Sequence, residues 1–241
     1  MYVNTSGIVL REVQYKDASK ILAVLTSSEG KLTVSAHGAH RKNSKLAAVT
    51  GLLVFSEMTL LKKKDRWTMT EARTVEQFVG LRDDLKLLAL GAYIAELTED
   101  VADEDSPNTE LLPLCLNALY ALSEKLKTPD FVKPVFELRL MAISGFEPML
   151  TTQGDGSLVS RTQSAYTPHE SNSIVSLEDG VLKLSTGAFN AAKYVLDCDA
   201  KKLFSFTLSD EALKELSRAT ENYLLAHLDR TFRTLDYYHK I

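Results

Sequence analysis

Several short stretches bring acid, thiol or glycine-rich groups together, and each lacks the partners its chemistry would need. Asp103-Glu104-Asp105 concentrates carboxylates, but no histidine lies nearby to share general acid–base work, so it reads as a solvated loop before a helix. A nuclease built on Asp103 or Asp105 is the enzymatic alternative. Gly154-Asp155-Gly156-Ser157 has the look of a phosphate or calcium loop, yet it lacks the Lys-Ser/Thr pair of one and the spaced oxygens of the other. It reads as a turn. Asp197-Cys198-Asp199 has no histidine at ligand spacing. The histidines, at positions 37, 40, 169, 227 and 239, are dispersed. Nothing here demands an enzyme.

The basic residues are better organised. Between Lys31 and Ser56 there is no acid, while Lys31, His37, His40, Arg41, Lys42 and Lys45 all fall inside. Lys62-Lys63-Lys64 and Arg66 follow, beside Trp67, the single tryptophan. Several cations on one surface suit a polyphosphate backbone, because each neutralised phosphate releases condensed counterions. Flat rings suit single strands, whose bases stack on them without sequence being read. Lys31, His37, Arg41, Lys42, Lys45, Lys62, Lys63, Lys64, Arg66 and Trp67 are therefore the candidate nucleic-acid-binding residues. A loop of solvated lysines is the plain alternative, and for Trp67 a place in the core.

The whole chain conceals this. Its 241 residues, 25% charged and 45% hydrophobic with net charge −4, have ordinary globular composition and suit one large domain or two modest ones. Residues 1–80 hold 12 Lys and Arg against 7 Asp and Glu, or +5, and the remainder is −9. Charge asymmetry between parts of a chain points to a polyanion partner for the basic part. The longest apolar run, Leu87 to Ala95, is about half of what a membrane span needs. No signal-like start precedes it, and Cys115 and Cys198 are too few for a disulfide framework. A cytoplasmic protein is expected.

The elements that must hold the cations follow from periodicity. Leu32, Val34 and Ala36 alternate with Lys31, Thr33, Ser35 and His37, a half-buried strand with Lys31 and His37 outward. Tyr2 to Val13, Lys20 to Ser27, Leu52 to Leu61 and Trp67 to Val75 also read as strands. Ser28-Glu29-Gly30 and Lys63-Lys64-Asp65 read as tight turns, and Gly38 to Gly51 as a longer connection with a short helix at Lys45 to Val49. Five short strands with one long excursion after the third predict a barrel of the oligonucleotide/oligosaccharide-binding (OB) type, or else a five-stranded sheet packed on the second domain.

After about residue 80 the period becomes helical. Leu87, Leu90, Ile94, Leu97 and Val101 form one stripe. Ser106-Pro107 marks a second helix through Leu111, Cys115, Leu119, Leu122 and Leu126, and Thr128-Pro129 a third through Phe131, Val135, Leu138 and Ala142, with Gly145 as its stop. Pro113 and Pro134 require these two helices to kink or to begin later. A short helix follows Thr186 and a long one Ser209. The expected fold is α+β and multidomain: an OB-type five-stranded β-barrel at 1–79, then an all-α helical domain at 80–241. An irregular insert with a β-hairpin (Ser173 to Leu177, Val181 to Leu184) occupies 146–185.

Gly7-Ile8-Val9-Leu10-Arg11, Glu29-Gly30-Lys31-Leu32, Gly38-Ala39-His40-Arg41-Lys42-Asn43-Ser44-Lys45-Leu46 and Leu81-Arg82-Asp83-Asp84-Leu85 together resemble the RecO family of bacterial DNA repair proteins. Phe136-Glu137-Leu138-Arg139-Leu140, Ser144-Gly145-Phe146-Glu147-Pro148 and the segment from His227 to Tyr238 extend the resemblance along nearly the whole chain. It implies a non-enzymatic recombination mediator with an N-terminal OB domain and a helical C-terminal domain. Such a protein binds single- and double-stranded DNA, anneals strands, works with RecR and often RecF, and helps load RecA onto strands covered by single-strand binding protein. The family's DNA contacts map onto Lys31, Arg41, Lys42 and Lys45. Arg139 and Arg230 are candidates for receiving the acidic C-terminal tail of single-strand binding protein, by charge and location, against helix-surface or intramolecular ion pairs. Many members carry four zinc-binding cysteines just after the Gly145-Phe146 position. This chain has no cysteine there, so no zinc or other cofactor is expected. The rival is an OB module for structured RNA or for a protein partner, without annealing activity.

Overall fold

A computed structural model describes residues 1–16, 18–151, 172–176 and 180–241, with backbone only at 151, 172–176 and 180–183. The chain falls into two compact units, one of residues 1–129 with 231–241 and the other of residues 130–230.

The first unit is built on a closed barrel. β1 (Tyr2–Tyr15), β2 (Ser19–Thr26), β3 (Gly30–Ala36), β4 (Phe55–Lys63) and β5 (Arg66–Glu76) close in the order β1-β2-β3-β5-β4. All neighbours run antiparallel except β3 and β5, whose parallel register pairs Val34 with Trp67 and Ser35 with Thr68. A parallel pair needs a long connection, and residues 37–65 supply it: the 37–54 segment leads into β4, which returns the chain to the start of β5. This is the expected OB-type barrel. β1 serves two neighbours because it is bulged between Val9 and Arg11: its first half pairs with β4 and its second with β2.

Val9, Leu22, Val24, Leu32, Val34, Met58, Leu60, Trp67 and Met69 fill the interior. Ile8, Leu10, Ala23 and Leu25 alternate with them and are buried as well. The near-continuous apolar runs of β1 and β2 are thereby explained: one face lines the barrel and the other is covered. Helix α1 (Leu85–Val101) packs against β1 and presents Gly91 to Leu53. A Cβ on Gly91 would stand 3.0 Å from the Leu53 methyl. Asp84 caps α1 by accepting from the N–H groups of Lys86 and Leu87, at 2.7 and 3.3 Å.

Several expectations for this unit change. The fourth strand begins at Phe55 rather than Leu52, because Leu53 takes a positive φ of 63°. The Lys45–Val49 stretch is a run of turns rather than a helix, with Ser44 accepting from Ala47 N–H and Leu46 from Val49 N–H. Helix α2 (Leu111–Ser123) starts five residues after Ser106, where the Asn108 side chain accepts from Glu110 and Leu111 N–H. Pro113 then lies in the first turn, where its missing N–H costs nothing. Leu126, expected on the buried stripe, is past the helix end and 60% exposed. A short C-terminal helix (Arg233–Tyr238) was not anticipated; Thr234 donates to the Glu96 carboxylate and Phe232 meets Tyr93 edge-on.

In the second unit, α3 (Pro129–Ile143) ends at Gly145 as expected, with φ at 85° and Phe146 N–H donating to Met141 O at 2.8 Å. The three-stranded antiparallel sheet β6 (Met149–Thr151), β7 (Asn172–Ser176) and β8 (Gly180–Leu184) contains the expected hairpin plus one unforeseen strand. Gly154-Asp155-Gly156-Ser157 lies outside the described residues. Helices α4 (Thr186–Asp197) and α5 (Asp210–Leu228) start after Ser185 and Ser209, each capping with its hydroxyl. Inside this unit Lys133, 3% exposed, bridges Glu137 and Glu221 at 2.8 and 2.5 Å, and Thr220 donates to the other Glu137 oxygen. Burial pulls the Lys133 ammonium down, but the two carboxylates more than offset it and leave the pKa above its usual 10.5. Among the described residues no helix is long and apolar enough to cross a membrane.

Candidate nucleic-acid interface

The connection from β3 to β4 is built to hold cations outward. Ala39, Leu46 and Val49 pack against the barrel core, anchoring the segment at three points. Between and around them His40, Arg41, Lys42 and Lys45 are exposed, and no described residue forms an ion pair with Arg41, Lys42 or Lys45. Gly38, at φ 72°, opens a turn closed by Arg41 N–H donating to Gly38 O at 3.0 Å, and the Arg41 side chain folds back over that glycine. A second tie runs from His40 N–H to Ala18 O, 3.1 Å, fixing this connection beside the β1–β2 turn.

The other cation cluster is the β4–β5 hairpin. Lys63, Lys64 and Arg66 are exposed there, with Lys64 at the positive φ of 52° that the tight turn requires. Because β5 runs parallel to β3, residues preceding Trp67 lie toward Lys31, while residues after Ala36 leave the opposite end. By that register the hairpin lies beside the first half of β3, and the two clusters are about 10–20 Å apart along the strand. The outward row Thr33, Ser35 and His37 lies between, and His37 is exposed as expected.

Three predicted contacts are otherwise engaged. Lys31 is half-buried: its ammonium donates to Glu99 O at 2.8 Å, at the C-terminal end of α1, where free carbonyls favour a cation. Its backbone pairs with Asp103 and Asp105. Asp103-Glu104-Asp105 is thus part of the clamp between α1 and the barrel, as is the Arg11–Glu99 pair at 2.8 Å. Trp67 is 5% exposed and fills the barrel core, so its ring offers no face for a base. Lys62 lies over that ring, 4.6 Å from its centroid, with Asp105 4.0 Å away.

The β1–β2 turn carries residues that sequence reasoning passed over. Tyr15 is 48% exposed, and the ammonium of Lys16, itself exposed, stands 5.3 Å from its ring centroid. The signal available was an aromatic and a lysine where strand alternation stops.

Arg139 in the second unit donates to the last carbonyls of α4, Val195 O at 3.2 Å and Leu196 O at 2.6 Å. It therefore serves the intramolecular role weighed against tail binding. Arg230 is exposed just beyond α5. Cys198 lines a cleft of about 470 Å³ at the end of α4 with Lys193, Tyr194 and Lys202. Burial pushes its thiol above the ordinary range, against nucleophilic use. Among the described residues, no three His, Cys, Asp or Glu side chains are grouped as a metal site.

Comparison with known proteins gives two family matches that together cover almost the whole chain. Residues 1–78 match "Recombination protein O N terminal" and residues 82–236 match "Recombination protein O C terminal". The chain is similar to the DNA repair protein RecO of Acetivibrio thermocellus, 33% identical over 243 residues, covering 98% of this chain and 96% of the relative. The RecO protein of Alkaliphilus metalliredigens is 28% identical along the full length of both chains. That of Bacillus subtilis is 32% identical over 150 residues, 62% of this chain and 58% of the relative.

Proposed function

This chain belongs to the recombination protein O (RecO) family of DNA repair proteins, and from that premise we propose that it is a non-enzymatic recombination mediator whose barrel binds DNA. The observation that carries the reading is the β3–β4 connection. Buried Ala39 and Val49 and half-buried Leu46 pin it while Arg41, Lys42 and Lys45 point outward with no acidic partner among the described residues. Lys63, Lys64 and Arg66 add a second cation cluster about 10–20 Å along β3. Two such clusters hold a phosphate backbone at two places, and they screen the repulsion between two strands brought together for annealing.

The acidic remainder of the chain is the docking side for partner proteins: RecR, with RecF and RecA as further associates, and the tail of single-strand binding protein. Arg230 remains a candidate for that tail. The chain works in the cytoplasm at the nucleoid, without turnover and without zinc, since the segment after Gly145 carries no cysteine before Cys198.

Arg41→Ala with Lys42→Ala tests the reading. Fluorescence titration of a single-stranded oligonucleotide at a series of salt concentrations should show weaker binding and a slope of log affinity against log salt flatter by about 1–2. An unchanged slope removes the connection from the DNA site. Strand annealing measured with and without single-strand binding protein tests the mediator role, which failure in both conditions would contradict.

A further inference from the structure

Trp67 was the aromatic that the sequence offered for base stacking, and its burial leaves a single-strand site with cations but no platform. The exposed aromatic rings of the first unit are Tyr2, Tyr15, Tyr120 and Tyr237. Of these, Tyr15 is the one with a lysine ammonium over its ring among the described residues. It is also joined to the free cations. Tyr15 pairs with Ser19 across the β1–β2 turn, and Ala18 in that turn accepts from His40 N–H. Lys20, next to Ser19, pairs with Ala36, the residue before His37.

The orientation follows from the register. Arg11, Val13 and Tyr15 oppose Ala23, Ile21 and Ser19, while Val9, before the bulge, opposes Val24 inside the barrel. Tyr15 therefore lies on the outer face, at the end of the barrel from which the basic connection leaves. The neighbouring Lys20 is occupied: its ammonium pairs with Glu12 and reaches Thr50 O at 3.4 Å. Phosphate contacts at this end thus fall to Lys16, Arg41 and Lys42, with His37 close by in the register.

We propose that Tyr15 is the base-stacking residue of a single-stranded DNA site at the β1–β2 turn, with Lys16, Arg41 and Lys42 holding the adjoining phosphates. The proposal rests on the DNA-binding reading above and adds the residue that separates single strands from duplex. Duplex bases already stack on one another and gain nothing from an external ring, whereas unpaired bases do. A ring carries no charge, so its contribution does not depend on salt.

Tyr15→Ala, Tyr15→Phe and the triple variant Arg41→Ala/Lys42→Ala/Lys45→Ala should be titrated in the full chain with an oligothymidylate and with a duplex. Trp67 emission serves as the check that the barrel is folded. Tyr15→Ala is expected to weaken oligothymidylate binding by about 5- to 100-fold with an unchanged salt slope. Duplex binding should stay within about twofold, and Tyr15→Phe should behave as wild type. A 5-iododeoxyuridine-substituted oligonucleotide should crosslink to the peptide containing Tyr15. Unchanged oligothymidylate affinity in Tyr15→Ala while the triple variant weakens both ligands would overturn the Tyr15 role and leave the DNA reading standing. If the triple variant also binds both ligands like wild type, the DNA reading at this end falls and the Tyr15 site with it.

Discussion

Lys31 is the residue at which family resemblance and geometry make opposite statements, and one substitution separates them. The resemblance counts it among the DNA contacts. In the structure its ammonium is 2.8 Å from Glu99 O, one of the terminal carbonyls of α1, and half-buried. A hydrogen bond from a charged donor contributes about 1.5–3 kcal/mol, and partial access of water takes the expectation to the low end of that range or just below it. Lys31→Met keeps the aliphatic stem and removes the charge, so it should lower barrel stability by about 1–2 kcal/mol. With a typical urea dependence, the midpoint falls by about 0.5–1 M. Trp67, the single tryptophan and a core residue of this barrel, reports that transition directly. Salt-dependent titration with a single strand should meanwhile give a slope within about 0.2 of wild type, against the flattening of about 0.7 that loss of one phosphate contact produces. A flattening near 0.7 with an unmoved urea midpoint would refute the clamp and return Lys31 to the DNA surface.

Further outcomes concern the helical parts. Lys133→Met strands the fully buried Glu137 without its cation and should cost about 3–5 kcal/mol by denaturation followed in helical circular dichroism; adding Glu137→Leu should restore most of it. The folded pKa of Lys133 lies above its ordinary 10.5, so its pairing contributes in full below that pH and is lost as pH rises through the folded value. Stability measured from neutral pH upward should therefore fall more steeply in wild type than in Lys133→Met/Glu137→Leu. Cys115, fully buried between α1 and α2 with its pKa pushed up to about 12 by burial, should resist a disulfide reagent until unfolding, while the part-exposed Cys198, slowed by its own raised pKa, still reacts in the native protein. Two thiols reacting in the native protein would contradict the α1–α2 packing, and the unfolded sample should release no stoichiometric zinc.

Much of the fold is legible in the order of residues. Alternation in Leu32–Ala36, the tight turns at Ser28-Glu29-Gly30 and Lys63-Lys64-Asp65, and the caps at Ser185 and Ser209 act within a few residues of themselves, so local patterning suffices to place them. The start of α2 is not legible in the order of residues because two local signals compete, Ser106-Pro107 and Asn108, and only the second accepts from the first helical N–H groups. β6 is three residues long, too short to carry a period.

What the sequence by itself determined is where the charge lies: a cation-rich first third, free of acids from Lys31 to Ser56, and an acidic remainder. What only the tertiary structure decided is which of those cations face solvent unpaired. Lys31 meets a carbonyl 68 residues away, Arg139 carbonyls 56 and 57 residues away, and Trp67 the inside of a barrel closed by strands from the whole domain. Arg41, Lys42 and Lys45 remain outward because Ala39, Leu46 and Val49 face inward. Whether a side chain is available depends on partners that the chain brings together through space, and residue order does not encode those distances one position at a time.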